Sequence, residues 1–480
     1  MSAKSWRLWI AVIILVALTA RMTAVFALKR WDASMPGVNR QLAVSLNESG
    51  TFTFREHGTV GPSSVTTPVY PVLLAAIFRT FGSETPTAYF AAITLNAIFG
   101  ALTAGVVATW VRRAGSLGHF RPTAEAPRQP GPRIERLAIA AGLVVALWPP
   151  QIFAATFAQP LALTVLCITS ACLLWARAIT DHGLLTWLGC CIALSIAALI
   201  EPPFVAAVGF AGMITLMMRA WPLDVRVRNV AVLALVSILT LLPWISRNLA
   251  VHGRALFTTT LWQHVWAGAN PHATGSDRLP LTPDRRAAAG SGWSHDDSDA
   301  EFARVPMMQI DLIAPAGRAA LREQPEVARE AIFRGWASDW LGEHRSTWIA
   351  QLPTRIGKWW WIDYDHPMSR NPLALIPRTL AAAGALVALP LLLRRRAGFA
   401  LPAVVLAAMF VAASLTIATA KMTILIEPLQ LGLIFSAMLV LIGLREPAGA
   451  TTPQSRHLSA GHALAAGEPL AAHVQARSAR

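Results

Sequence analysis

Ionisable residues are few in this chain, 14% charged against 54% hydrophobic, and several stand beside or inside apolar runs. A charge in that setting is a functional hypothesis by default. Lys421 and Glu427 flank the start of the last apolar run; they hold a ligand there or pair with each other at helical spacing. Glu201, ahead of Pro202-Pro203, is either a polar lining of a cavity or an interfacial acid. Arg247 and Asn248 close another run, where an Arg meets a lipid phosphate with its bidentate fork or simply snorkels to the interface. Tyr70, one of three tyrosines, hydrogen-bonds a sugar or phosphate or anchors the chain in the headgroup belt. Arg21, about one turn inside the end of the first run, reaches up to the interface. Asp32 reads on its own as a solvated partner of Lys29, Arg30 or Arg40.

The elements that must position these residues are apolar helices. The composition of the 480 residues is that of a polytopic membrane protein. A net charge of +15 alone suggests nucleic acid, but the arginines gather beside the ends of apolar runs, as the positive-inside rule requires. No basic stripe with stacking aromatics stands outside those runs, so nucleic-acid binding is excluded as a main function. About ten apolar runs read as spans, several of them shorter than ideal, which mismatch and packing absorb: 8–28, 86–111, 137–157, 160–175, 184–199, 204–218, 230–245, 380–393, 399–417 and 422–444. The first is expected to be an uncleaved anchor with its N-terminus in the cytoplasm. With both termini inside, every short basic loop falls on one face and two long polar excursions, 31–82 and 249–377, share the other. The whole of 1–445 is thus one transmembrane domain, and 446–480, rich in Ala, Ser, His and Arg, is expected to be a disordered cytoplasmic tail.

The first excursion is too polar to span and too long for a plain connection. It predicts a helix over Asn39 to Leu46 closed by Asn47-Glu48-Ser49-Gly50, an extended piece with Phe52 and Phe54, and a turn at Gly61-Pro62. An apolar helix over Val69 to Phe81, ended by Gly82, is too short to cross and is expected to be interfacial or re-entrant. In the second excursion, Ser294-His295-Asp296-Asp297-Ser298-Asp299 is either a metal site or a helix-linking cluster. Arg318 to Trp340 has helical period, and Lys358-Trp359-Trp360-Trp361 suggests an interfacial anchor or, alternatively, a sugar-stacking surface. Cys167, Cys172, Cys190 and Cys191 all lie in apolar runs, so neither a disulfide framework nor a zinc site is indicated. No phosphate-binding Gly-rich loop, G-x-S-x-G elbow or H-E-x-x-H is present, and no internal repeat points to an inverted-repeat transporter.

One span, a long excursion, and then Gly61-Pro62, Pro68-Val69-Tyr70-Pro71, Leu73-Leu74-Ala75 and Phe78 to Gly82 resemble the first outward loop of GT-C membrane glycosyltransferases. Protein O-mannosyltransferase and aminoarabinose-transferase relatives belong to that class. Pro243-Trp244 with Arg247-Asn248, then Trp266-Ala267-Gly268-Ala269-Asn270-Pro271, and Ile426-Glu427-Pro428 extend the resemblance. It implies an all-α polytopic fold and transfer of a sugar from a polyprenyl-phosphate carrier to a glycan, lipid or protein acceptor. The reaction is expected at the outer face of a cytoplasmic membrane. A first-loop acid would deprotonate the acceptor hydroxyl, and cationic side chains or a divalent metal would stabilise the departing phosphate.

The chain departs from this pattern where the acid is due, near Val38. Asp32 is the nearest upstream carboxylate and takes the catalytic role if the loop shifts. Arg40, Tyr70, Arg247, Asn248, Asn270, Lys421 and Glu427 are then the expected substrate-binding residues. Without a placed base, the alternatives are a catalytically silent relative that binds a lipid-linked sugar, or a flippase of the same lipid.

Overall fold

The computed structural model describes residues 2–32, 37–56, 59–117, 131–181, 183–218, 221–280, 282–284, 309–322, 324–366, 369, 371–393 and 400–445. The Ser294–Asp299 cluster and the tail 446–480 lie outside the described residues. Helix α1 (Ala3–Leu28) is opened by Ser2, whose hydroxyl accepts the Ser5 amide at 3.2 Å, and a single 3-10 turn, Arg30–Asp32, follows it. Helix α2 (Val38–Ser49) ends at Gly50, whose φ of 68° lets its amide return to the Leu46 carbonyl. That is the ending its sequence predicts, because a side chain there would meet the left-handed penalty. An antiparallel hairpin of β1 (Thr53–Glu56) and β2 (Thr59–Pro62) comes next, with Thr53 opposite Pro62. Gly61-Pro62 therefore closes a strand, correcting the expected turn; a terminal strand position is one that Pro tolerates. Helix α3 (Val69–Phe81) has its predicted bounds.

The body continues through α4 (Pro86–Leu117), α5 (Pro132–Ala146), α6 (Pro149–Ala154), α7 (Leu161–Asp181), α8 (Leu184–Ile200), α9 (Phe204–Met217) and α10 (Leu223–His252). The second excursion carries α11 (Leu261–Ala267), α12 (Pro315–Leu321), α13 (Glu326–Glu343), α14 (Arg345–Ala350) and α15 (Leu352–Trp360). Helices α16 (Pro372–Leu393), α17 (Ala400–Leu415) and α18 (Ala420–Arg445) close it. Six described helices, α1, α4, α7, α10, α16 and α18, are long and apolar enough to cross a membrane, and α8, α9 and α17 are shorter apolar helices. With α5 and α6, which divide the run 137–157 between them, these helices account for the ten apolar runs. The chain is an all-α polytopic membrane protein.

The run 137–157 is interrupted at Trp148, as its Trp148-Pro149-Pro150 sequence predicts, because Pro149 and Pro150 lack the amides to continue α5 and instead start α6. Prolines also account for differences from expectation. Pro325 splits the expected helix over 318–340 into α12 and α13, and Pro353 opens α15 after a break at Gln351. Helices meet through small residues, as they do where lipid and protein are equally apolar. A Cβ added at Gly432 of α18 would come within 2.1 Å of the Trp110 ring of α4, and one at Gly142 of α5 within 2.8 Å of Ala108.

The two excursions pack on each other. The Ser64 amide and the Thr259 hydroxyl donate to Glu326 Oε2 at 2.8 and 2.7 Å, and the Thr259 amide donates to the Ser64 carbonyl at 3.0 Å. Arg247 donates to the carbonyls of Ser63 (2.7 Å) and Phe52 (3.2 Å). The excursions therefore lie at the same end of the helical body.

Candidate functional site at the junction of the excursions

The residues that meet where both excursions reach the helix ends are Glu201 and Lys421, which form an ion pair. Glu201 caps α8 in an extended conformation, the one favoured before Pro202. Its amide donates to Ala197 at 2.9 Å, and Pro203 then opens α9, so the acid sits on a rigid corner. The first excursion reaches that corner through Thr67, whose hydroxyl donates to the Ile200 carbonyl at 2.7 Å. Lys421 is the second residue of α18, just after the bridge in which the Ala418 amide donates to the Gly275 carbonyl at 3.0 Å. His264 of α11 feels the charges of Glu201, Lys421 and Asp277, which brings the second excursion to the pair as well. The side chain of Glu201 is 11% exposed and that of Lys421 39%. One buried acid behind one accessible cation, at an anion-favouring helix start, suits a ligand that carries both a phosphate and an exchangeable proton nearby.

A second charged cluster packs against the first turn of α18, where the Thr423 hydroxyl donates to the Lys358 carbonyl at 3.3 Å. Lys358 is fully buried, pairs with Asp365, lies 3.9 Å from Asp363 and donates to the Thr274 carbonyl at 2.8 Å. The Ser276 hydroxyl donates to Asp363 Oδ2 at 2.8 Å. Burial pushes the Asp363 carboxyl above its ordinary range against the opposing pull of Lys358. Burial also pulls His366 down to about 3, with Arg278 and Arg378 adding repulsion, so the ring is neutral at physiological pH. Arg378 in turn donates to Glu427 at 3.0 Å, and Trp148 and Gln151 donate to the other carboxylate oxygen, both at 3.2 Å. Among the described residues no group of three or more His, Cys, Asp or Glu side chains converges as metal ligands.

The expected site residues are distributed as follows. Asp32 is exposed at the end of the turn after α1, and among the described residues no side chain bonds its carboxylate. Arg40 pairs with Glu84, not with Asp32. Tyr70 is 4% exposed and accepts from Asn96 at 3.2 Å, so it is packed inside and is not a headgroup anchor. Asn248 is fully buried; it accepts from the Ser64 hydroxyl at 2.7 Å and donates to the Leu256 carbonyl at 3.0 Å. Arg247 lies over Phe52 and Trp244 while holding the first excursion, a fastening rather than a snorkel. Asn270 closes the turn after α11, donating to Trp266 and accepting from the His272 amide.

Two expectations about charge are corrected. Lys421 and Glu427 do not pair with each other; six residues put them roughly 240° apart around a helix, and each finds a partner on another element. Arg21 does not reach the interface. It is 1% exposed and donates to the carbonyls of Ala146 and Val145 at 2.9 and 3.4 Å, neutralising the end of α5. The tryptophan cluster is likewise only partly at a surface: Trp359 and Lys358 are buried, whereas Trp361 is 44% exposed. No contact among the described residues joins Asp32, Arg247 and Lys421.

Sequence reasoning passed over Thr67, Glu326, Asp363, Asp365 and Arg378. For Arg378 and Glu427 a signal existed, since opposite charges inside two apolar helices call for each other. Asp363 and Asp365 lie within seven residues of Lys358, which was also legible. Glu326 at the first turn of a helix after Pro325 is indistinguishable from an ordinary helix-start acid.

No protein-family model and no curated protein matches the chain. Among solved structures it is similar to ArnT from Cupriavidus metallidurans bound to undecaprenyl phosphate, at 17% identity over 91% of this chain and 79% of that one, with a TM-score of 0.40. It is also similar to the same protein in the apo state, at 15% identity over 92% and 77%, with a TM-score of 0.38. Likenesses of this size decide neither family nor residue roles.

Proposed function

We propose that the chain is a membrane glycosyltransferase that moves a sugar from a polyprenyl-phosphate carrier to an acceptor hydroxyl, at the outer face of a cytoplasmic membrane. The observation that carries it is the Glu201–Lys421 pair at the junction of both excursions, where a lipid-borne phosphate arriving at membrane level meets a cation with an acid behind it. Transfer needs a proton acceptor for the incoming hydroxyl and a positive charge for the departing phosphate. Asp32 and Glu201 are the carboxylates available for the first role. Lys421 answers the second, with Arg247 fastening the first excursion through the Ser63 and Phe52 carbonyls. The motif resemblance of the first excursion points the same way. The test is transfer of radiolabel from a lipid-phosphate-linked sugar in proteoliposomes, expected to be lost in Lys421→Gln. Label that stays on the carrier in wild-type protein, whatever the acceptor offered, rules this reading out.

A second reading has its own support. Val38 opens α2 where a first-loop acid is due, and the nearest acid, Asp32, is exposed with no ordering partner among the described residues. A relative that binds the lipid-linked sugar without transferring it accounts for that, and retention of the labelled lipid without turnover is its signature.

A further inference from the structure

We infer that Glu201 and Lys421 exchange partners during the reaction: the phosphate takes Lys421 as it departs, and Glu201, released, takes the acceptor's proton. This rests on the transfer reaction proposed above. Three observations support the exchange. The lysine is the accessible member of the pair and the acid the covered one, 39% against 11% exposed, so an entering ligand meets the cation first. The acid is held in place independently of the lysine, by the Pro202-Pro203 corner and by Thr67 bonding the preceding carbonyl. The lysine stands on a flexible four-carbon stem at the start of the 26-residue helix α18, where the helix dipole itself favours an anion.

The charges balance at each stage. Before reaction the pair is neutral and the donor, a phosphodiester, carries one negative charge. As the acceptor oxygen bonds to the anomeric carbon, the bond from that carbon to the phosphate oxygen breaks and the electron pair stays on the phosphate. The leaving group becomes a monoester of about −1.5 to −2, a stronger partner for Lys421 than one carboxylate. The proton of the acceptor goes to a Glu201 oxygen, neutralising the acid as its counter-ion is withdrawn. The lysine is thus bound most tightly when the leaving group's charge is greatest, which lowers the barrier and not merely the energy of the bound donor. Loss of the monoester and of the proton to water restores the pair. His264, on which the charges of Asp277, Lys421 and Glu201 act, is a further titratable group in the neighbourhood of the pair.

The exchange makes two substitutions move binding in opposite directions. Decaprenyl phosphate, a monoester, serves as the probe, with binding to the detergent-solubilised full chain followed by intrinsic tryptophan fluorescence. Lys421→Gln is expected to weaken binding roughly tenfold or more, and Lys421→Arg to retain it. Glu201→Gln, which removes the competing carboxylate, is expected to bind several-fold more tightly while losing transfer. Thermal unfolding of each variant separates loss of fold from loss of the site. Weaker binding in Glu201→Gln at an unchanged unfolding midpoint overturns the exchange, as does transfer that survives Glu201→Gln and disappears in Asp32→Asn; both leave the transferase reading standing. Opposite shifts in binding with no transfer by wild-type protein leave only the competition of phosphate with Glu201 for Lys421 standing, and remove the proton transfer together with the transferase reading.

Discussion

Glu330 shows how one side chain sets a pH response. Its carboxylate accepts the Trp262 amide at 2.8 Å, at the start of α11, while its other oxygen is buried with no hydrogen-bond partner among the described residues. Burial raises its pKa to about 7, against about 4.3 in an unfolded chain. Between those values the unfolded state binds fewer protons than the folded one, so this group's contribution is full below about pH 4.3 and is lost as pH rises through 7. Glu330→Gln keeps an acceptor for the amide and removes the penalty. Its unfolding midpoint should exceed that of wild type at pH 8 and converge with it near pH 4, as thermal denaturation at the two pH values would reveal. Lys358 shows what a buried counter-ion contributes. Lys358→Met leaves Asp363 and Asp365 buried without their cation, and a destabilisation of about 3–5 kcal/mol is expected, read from denaturant unfolding in detergent. A change under 1 kcal/mol would mean that the acids protonate at no cost.

At the scale of elements, what matters is how closely helices approach and how the excursions are tied down. Gly432 has the Trp110 ring against it, so Gly432→Val must push α18 away from α4 and should cost about 1–3 kcal/mol. Gly209 of α9 has open space at its Cβ position, and Gly209→Ala makes the matching control. Asn248 joins α10, the first excursion and the segment after α10 through four hydrogen bonds of one amide group. Asn248→Ala leaves the Ser64 hydroxyl and the Leu256 carbonyl short of partners, for about 1–3 kcal/mol. The effect should appear as protease nicking of 52–66 with the membrane helices intact; nicking equal to wild type would show that Arg247 and Glu326 suffice.

For the molecule as a whole, the shared location of the two excursions is the property on which any lipid-facing site depends. Thr80 at the end of α3 and Ser346 in α14 are both exposed. Thr80→Cys and Ser346→Cys are expected to react with a membrane-impermeant maleimide from the same side of intact cells or vesicles. Reaction from opposite sides would contradict the bonds that join Ser64 to Glu326 and Thr259.

Much of this architecture was legible without coordinates. Apolar length located the membrane helices, and Gly50, Gly82 and the proline pairs marked where helices stop, because these are properties of a residue and its immediate neighbours. The bounds of α3 followed in the same way from Pro68 and Gly82. Partnerships were not legible. Whether Lys421 meets Glu427 six positions away or Glu201 across the bundle depends on how α8 and α18 are set against each other, and whether Tyr70 faces headgroups or Asn96 depends on what covers α3. Burial of a charge is tolerable only where an opposite charge or a row of carbonyls is brought to it, and residues scattered over hundreds of positions can be brought together only by the packed fold.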